Sequence, residues 1–92
     1  KISLEQISKA VAGLFEVGEK KLYSKSRSMD VANARHVAMY LSRELTKNSL
    51  LMIGKHFGNR DHSTVIHACK TIENKMKTDH DLSNQIEKMK LK

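Results

Sequence analysis

Leu50-Leu51-Met52-Ile53-Gly54-Lys55-His56-Phe57-Gly58-Asn59-Arg60-Asp61-His62-Ser63-Thr64-Val65-Ile66-His67-Ala68-Cys69-Lys70 is the stretch that decides the fold. It reads as a short helix, a tight turn opened by Gly58, and a longer helix launched from Asp61. Behind that start, Val65, Cys69, Ile72 and Met76 recur at steps of four, three and four, which defines a buried face. Small polar and cationic side chains crowd the helix start instead of apolar ones. This is the layout of a helix-turn-helix, predicted over about 50–77, whose second helix is built to lie in a DNA major groove.

The surrounding chain supports an all-α domain. Its 92 residues contain no Pro, four Gly, 4% aromatics and 39% apolar residues, enough for one modest core. Ser3-Leu4-Glu5-Gln6 forms a capping box, flanked by Ile2 and Ile7 in the positions of a hydrophobic staple. Leu4, Ile7, Val11, Leu14 and Phe15 then keep helical spacing, and Gly18 is expected to close that helix. Glu19 to Ser24 allows one or two further turns. Ser24-Lys25-Ser26-Arg27-Ser28 has no apolar anchor and reads as a loop. Asp30 is the expected cap of a helix from about Val31 to Thr46, with Val31, Ala34, Val37, Ala38, Leu41 and Leu45 inward and Arg35, His36 and Arg43 off that stripe. Ser49 is expected to cap Leu50–Phe57, with Met52, Ile53 and Phe57 facing inward. Thr78-Asp79-His80-Asp81 breaks the long helix, and Leu82, Ile86 and Met89 mark a last one. About six helices result, in a Trp-repressor-like arrangement, forming one domain over 1–92.

The net charge of +7 is unevenly distributed. Between Lys20 and Lys70 there are ten Lys/Arg against three acids, while the rest of the chain balances at seven of each. Excess positive charge around the helix-turn-helix is the footprint of a polyanion partner. A single cysteine on the buried stripe is a packed thiol and fits a reducing, intracellular setting. No apolar run reaches the length of a membrane span.

Function at the reading tip follows from chemistry. Backbone N–H groups and the positive dipole end at a helix start favour phosphate. Arg60 offers a forked donor to phosphate, with an ion pair to Asp61 or Glu44 as the alternative. Asp61 is a helix cap, His62 and Ser63 point outward, away from the apolar stripe, where a histidine can hydrogen-bond a base or a phosphate, and Thr64 is a phosphate contact from the same turn. His67 and Lys70, further along, are expected on the DNA backbone.

Phe57-Gly58-Asn59-Arg60-Asp61-His62-Ser63-Thr64-Val65 closely resembles the Gly-Gly-Arg-Asp-His-(Thr/Ser)-Thr-Val signature of the C-terminal DNA-binding domains of the DnaA family, the bacterial initiators of chromosome replication. The resemblance covers essentially the whole chain and is densest between Ser24 and Cys69. It implies binding of one asymmetric, A·T-rich DnaA box per monomer, at replication origins and some promoters. It further implies that Asp61, His62 and Ser63 read bases and that Leu50 and Leu51 meet thymine methyls. Arg27 would enter the adjacent minor groove from the Lys25–Ser28 loop, and Arg35 would approach a base. His36, Arg43, Thr46, Lys47 and Ser49, together with Lys25, are implied at the DNA backbone. Leu51 stands where the family usually has Pro, Asn59 where it has a second Gly, and Ser63 where Thr is frequent. Asn tolerates the positive φ required there.

The chain is therefore expected to be the C-terminal fragment of a longer cytoplasmic, nucleoid-associated protein. It carries no Gly-x-x-x-x-Gly-Lys-(Ser/Thr) loop, so ATP is expected only for an AAA+ module outside it. Acidic membrane lipids are implied as partners of full-length members. Two other classes compete. A repressor-type helix-turn-helix regulator would need a dimer seam, for which spare apolar surface is small. A histidine-based metal enzyme would need His-Glu-x-x-His or paired cysteines, and neither occurs; His62 and His67 diverge around the helix. No metal and no catalysis are expected, and a membrane-surface role ranks below both.

Overall fold

Helix α1 (Leu4–Phe15) begins at the capping box read from the sequence: the Gln6 amide donates to Ser3 Oγ at 3.1 Å and the Ser3 amide donates to Gln6 Oε1 at 2.8 Å. The structure, a computed structural model, describes residues 2–91. Its other helices are α2 (Glu19–Leu22), α3 (Met29–Leu45), α4 (Leu50–His56), α5 (His62–Met76) and α6 (His80–Lys90), and no strand occurs among the described residues. The all-α, six-helix expectation holds.

Boundaries differ from the sequence reading in three places. Helix α1 ends through Glu16 in the left-handed region (φ 56°), and Gly18 starts α2 instead. Helix α3 is entered from Ser28, so Asp30 lies inside the first turn, where a carboxylate favours the positive dipole end. Before α6 the break is short, because Asp79 caps the next helix by accepting from the Leu82 amide at 3.0 Å. Two side chains expected inside are exposed, Leu14 and Met52. Leu14 lies about a quarter turn from the centre of the face formed by Ile7, Ser8, Val11 and Ala12.

Helix α3 is the hub. It touches all five other helices, and nine of its residues from Val31 to Ser42 are buried. Ala34, Ala38 and Ser42, four apart, keep one side of it small enough for close packing. Ser42 satisfies its own hydroxyl by donating to the Ala38 carbonyl at 2.7 Å. Val37 and Leu41 on α3, Ile53 and Phe57 at α4, and Val65, Cys69 and Ile72 on α5 then close one continuous core with Ile7, Val11 and Ile86. Burial raises the Cys69 thiol pKa, consistent with a packing role.

The α4–α5 turn is held from below by Gly54. The Arg60 amide donates to the Gly54 carbonyl at 2.9 Å, and a Cβ at position 54 would run into the Arg60 carbonyl. Gly58 (φ 93°) and Asn59 (φ 59°) both take left-handed conformations, so Asn59 fills the place of a second glycine. A Cβ on Gly58 would also lie 2.5 Å from the Tyr23 carbonyl oxygen.

Gly54→Ala should therefore lower stability by about 1–3 kcal/mol through overpacking against backbone, and Phe57→Ala by about 3–5 kcal/mol through a core cavity. Urea denaturation followed by circular dichroism checks both. A neutral Gly54→Ala would show that α4 and the turn are free to separate.

Candidate nucleic-acid interface

Asp61 builds the tip of α5. Its Oδ1 accepts from both the amide and the hydroxyl of Thr64, each at 2.9 Å. Those two bonds, followed by the charge of His62, hold the Asp61 carboxyl below the usual carboxylate range. The side chain is thus ionised and oriented, and Oδ2 has no hydrogen-bond partner among the described residues. His62 and Ser63 are exposed in the first turn, with Val65 fully buried behind them. The Thr64 hydroxyl proton goes to Asp61 instead of outward, so a phosphate contact from Thr64 would require it to turn. His67 and Lys70 are exposed on the same outer side.

At the start of α4, Ser49 caps by accepting from the Met52 amide at 3.2 Å. Leu50, expected among the base-contacting side chains, is partly buried and packs against the core. Leu51 and Met52 are the outward pair, 55% and 50% exposed. Met52, expected inward, faces outward, since a seven-residue helix gives too few repeats to fix a face from sequence.

The largest correction concerns Arg35. It is 5% exposed and lies under the Ser24–Ser28 loop, not on the surface. Its Nε donates to the Leu22 carbonyl at 2.9 Å, while Nη2 faces the carbonyls of Ser24 (3.0 Å), Ser26 (3.1 Å) and Lys21 (3.3 Å). In this arrangement all the hydrogen bonds of the guanidinium go to backbone carbonyls. Arg60 is also turned inward: it donates to the Phe57 carbonyl and, at 2.8 Å, to Ser24 O, and it makes no ion pair with Asp61 or Glu44. Serine hydroxyls finish the loop, with Ser26 N donating to Ser24 Oγ at 3.2 Å and Ser28 N to Ser26 Oγ at 3.3 Å. Lys25 and Arg27 are exposed. A cleft of about 440 Å³ opens between loop and turn, lined by Lys25, Ser26, Arg27, Asn59 and Arg60 among others. Asn59 is the lining residue that the sequence reading treated as turn geometry alone.

The remaining expected backbone contacts divide. Lys47 is exposed. Arg43 pairs with Glu73 at 2.8 Å and Glu44 at 3.2 Å, tying α3 to α5, so two carboxylates already occupy the guanidinium expected to clamp phosphate. Thr46 likewise donates inward, to the Ser42 carbonyl at 2.6 Å. His36 is half-buried, its Nδ1 unpartnered among the described residues. Burial first, then Lys75, Arg35, His67 and Arg60, lower its pKa. His56 is lowered mainly by burial, packed edge-on against Tyr23 and Phe57, with Nε2 3.1 Å from Ser8 Oγ. No cluster of metal-ligating side chains occurs among the described residues, and none of their helices is long and apolar enough to cross a membrane.

A helix-turn-helix with a polar, outward tip and a basic loop bonded beside it defines a DNA-binding domain of the helix-turn-helix class. The sequence model of the bacterial DnaA protein helix-turn-helix matches residues 4–72, and the chain belongs to that family. It is 49% identical over 86 residues to chromosomal replication initiator protein DnaA 1 of Protochlamydia amoebophila, covering 94% of this chain and 19% of the relative. Against DnaA of Chlorobaculum tepidum, identity is 45% over 89 residues, covering 97% of this chain and 18% of that one. A crystal structure of a DNA replication initiation factor superposes with a TM-score of 0.84 at 32% identity, covering 95% of this chain and 26% of that one. The chain thus spans about a fifth of the length of these relatives.

Two outcomes follow from these placements. Asp61→Ala should cost about 0.5–2 kcal/mol in urea denaturation, whereas Asp61→Asn, which still caps, should stay near wild type; equal losses would mean that the charge and not the cap matters. For His36 and His56, a folded pKa below the unfolded value of about 6.5 means that the unfolded chain binds more protons as pH falls. Stability should therefore drop from pH 7.5 to 5.5, and the double variant His36→Gln/His56→Gln should show a smaller drop. An undiminished drop would assign the acid sensitivity to other groups.

Proposed function

We propose that this domain binds the A·T-rich DnaA box as a monomer, with α5 in the major groove and Arg27 in the neighbouring minor groove. The observation that carries the reading is the bond between the basic loop and the turn that launches α5: Ser24 and Arg60 join the two contact elements side by side. In the major groove, the free oxygen of Asp61 can accept from a cytosine amino group, and His62 and Ser63 supply further polar contacts. Leu51 and Met52 offer carbon to thymine methyls. The narrow, negative minor groove of A·T-rich DNA favours an inserted guanidinium.

Sequence-independent affinity would come from exposed cations around the loop and the helix-turn-helix, among them Lys25, Arg27, Lys47 and Lys70, none of which makes an ion pair among the described residues. On this reading the chain requires neither nucleotide nor metal to bind, and origin recognition within a longer initiator is its cellular task. The repressor-type alternative would bind as a two-fold dimer, and the stoichiometry on a single box separates the two.

The test is a fluorescence titration of a DnaA-box duplex and a scrambled duplex at two salt concentrations. Wild type should prefer the box at least about tenfold, and His62→Ala or Ser63→Ala should lose about 1–3 kcal/mol on the box alone. Arg27→Ala should weaken binding and relax preference at the A·T-rich end. Lys47→Ala should weaken both duplexes alike and flatten the salt dependence by about one unit, with a smaller change for the ion-paired Arg43→Ala. Equal affinity of the wild type for both duplexes would refute the function.

A further inference from the structure

Two guanidiniums from different parts of the chain converge on one backbone oxygen. Arg35 Nη2, from the middle of the fold, and Arg60 Nη2, from the turn before α5, donate to Ser24 O at 3.0 and 2.8 Å. Each is anchored a second time: Arg35 on Leu22 O and Ser26 O, Arg60 on Phe57 O. The backbones also touch, since Gly58 leaves no room for a Cβ beside Tyr23 O. Loop residues 24–28 otherwise have only short-range serine bonds and no buried apolar side chain. The ends of the loop are held by backbone bonds, Ser24 N to Lys21 O at 3.1 Å and Ala32 N to Ser28 O at 2.9 Å, and among the described side-chain hydrogen bonds Arg60 alone ties the loop across to the turn before α5.

We propose that Arg35 and Arg60, sharing the Ser24 carbonyl, act as a spacer clasp that sets the distance between the Arg27 arm and the reading tip of α5. The domain then measures the separation of its minor-groove and major-groove elements instead of reading each independently. Neither arginine is a reading residue in this scheme; both are positioning residues that act through Arg27. Lysine cannot replace them, because an ammonium lacks the planar fork that spans several carbonyls at once. The pairing of two like charges on one carbonyl is unfavourable by itself, and the carbonyl dipoles around it offset that repulsion. A phosphate in the cleft beside Lys25, Asn59 and Arg60 would offset it further. This inference rests on the proposed two-groove reading.

The experiment compares the DnaA box with duplexes in which one base pair is inserted or deleted between its A·T-rich end and its major-groove half. One base pair shifts the two elements by about 3.4 Å and rotates them by about 35°. Wild type should lose about tenfold in affinity on either shifted duplex, the scale of one good groove contact. Arg60→Lys and Arg35→Lys keep the charge, so they should retain the salt dependence on the unshifted box yet lose less than about threefold on shifting. Arg27→Ala should be indifferent to spacing. Undiminished tenfold discrimination in both lysine variants overturns the clasp.

Should Arg35→Lys fail to fold, Arg60→Lys carries the test, since that side chain is only partly buried. NMR relaxation of the Ser26, Arg27 and Ser28 amides in DNA-free protein gives a second readout. Order should fall in the variant while the α5 amides stay unchanged; an equally rigid loop counts against the clasp. Wild type that prefers the box over scrambled DNA but ignores spacing sinks the spacer alone. Wild type that shows no preference sinks the function, and the spacing claim with it, and the relaxation data still decide whether the arginines hold the loop.

Discussion

A helix-turn-helix works only if its two helices meet at a fixed angle, and in this domain that angle depends on the contact between Gly54 and the Arg60 backbone. The Gly54 carbonyl takes the Arg60 amide at 2.9 Å, and the missing Cβ lets the chain pass directly beneath the turn. Ile53 and Phe57, on either side of that glycine, are fully buried and press α4 onto the core. The left-handed pair Gly58 and Asn59 then turns the backbone so that Asp61 can cap α5. Moving any of these would tilt the tip that carries His62 and Ser63. The exposure of that tip is thus a consequence of backbone packing several residues upstream.

The parts legible in the sequence were those encoded by local rules. The Ser3, Ser49 and Asp61 caps all formed where side-chain type and spacing demanded. So did the Val65–Cys69–Ile72 stripe, because fifteen residues of α5 give enough repeats to define a face. Where local rules compete, the reading slipped. Ser28 and Asp30 are both good cap residues two positions apart, and the fold chose the former. Arg35 was unreadable for a different reason. A buried guanidinium whose partners are all backbone carbonyls leaves no complementary acid in the sequence, so it looks like any surface cation. The loop likewise seemed unanchored because its anchor lies on another helix and its partners have no side-chain signature.

That distinction changes how the charge of the domain acts. A net charge of +7 treats every cation as equally available to a polyanion. The structure separates them. Arg43 and Lys90 are engaged by Glu73, Glu44 and Glu87, and bringing a phosphate to either would set it against carboxylates within about one Debye length. Arg35 and Arg60 contribute long-range field but direct their donors at carbonyls. Lys25, Arg27, Lys47 and Lys70 are exposed and make no ion pair among the described residues, so their charge is available to a polyanion. Two of those four lie in the loop that the buried arginines hold. On the proposed reading, affinity from the loop depends on two guanidiniums whose donors are directed at backbone carbonyls, and shape, not the count of cations, governs where the surface charge can meet a duplex.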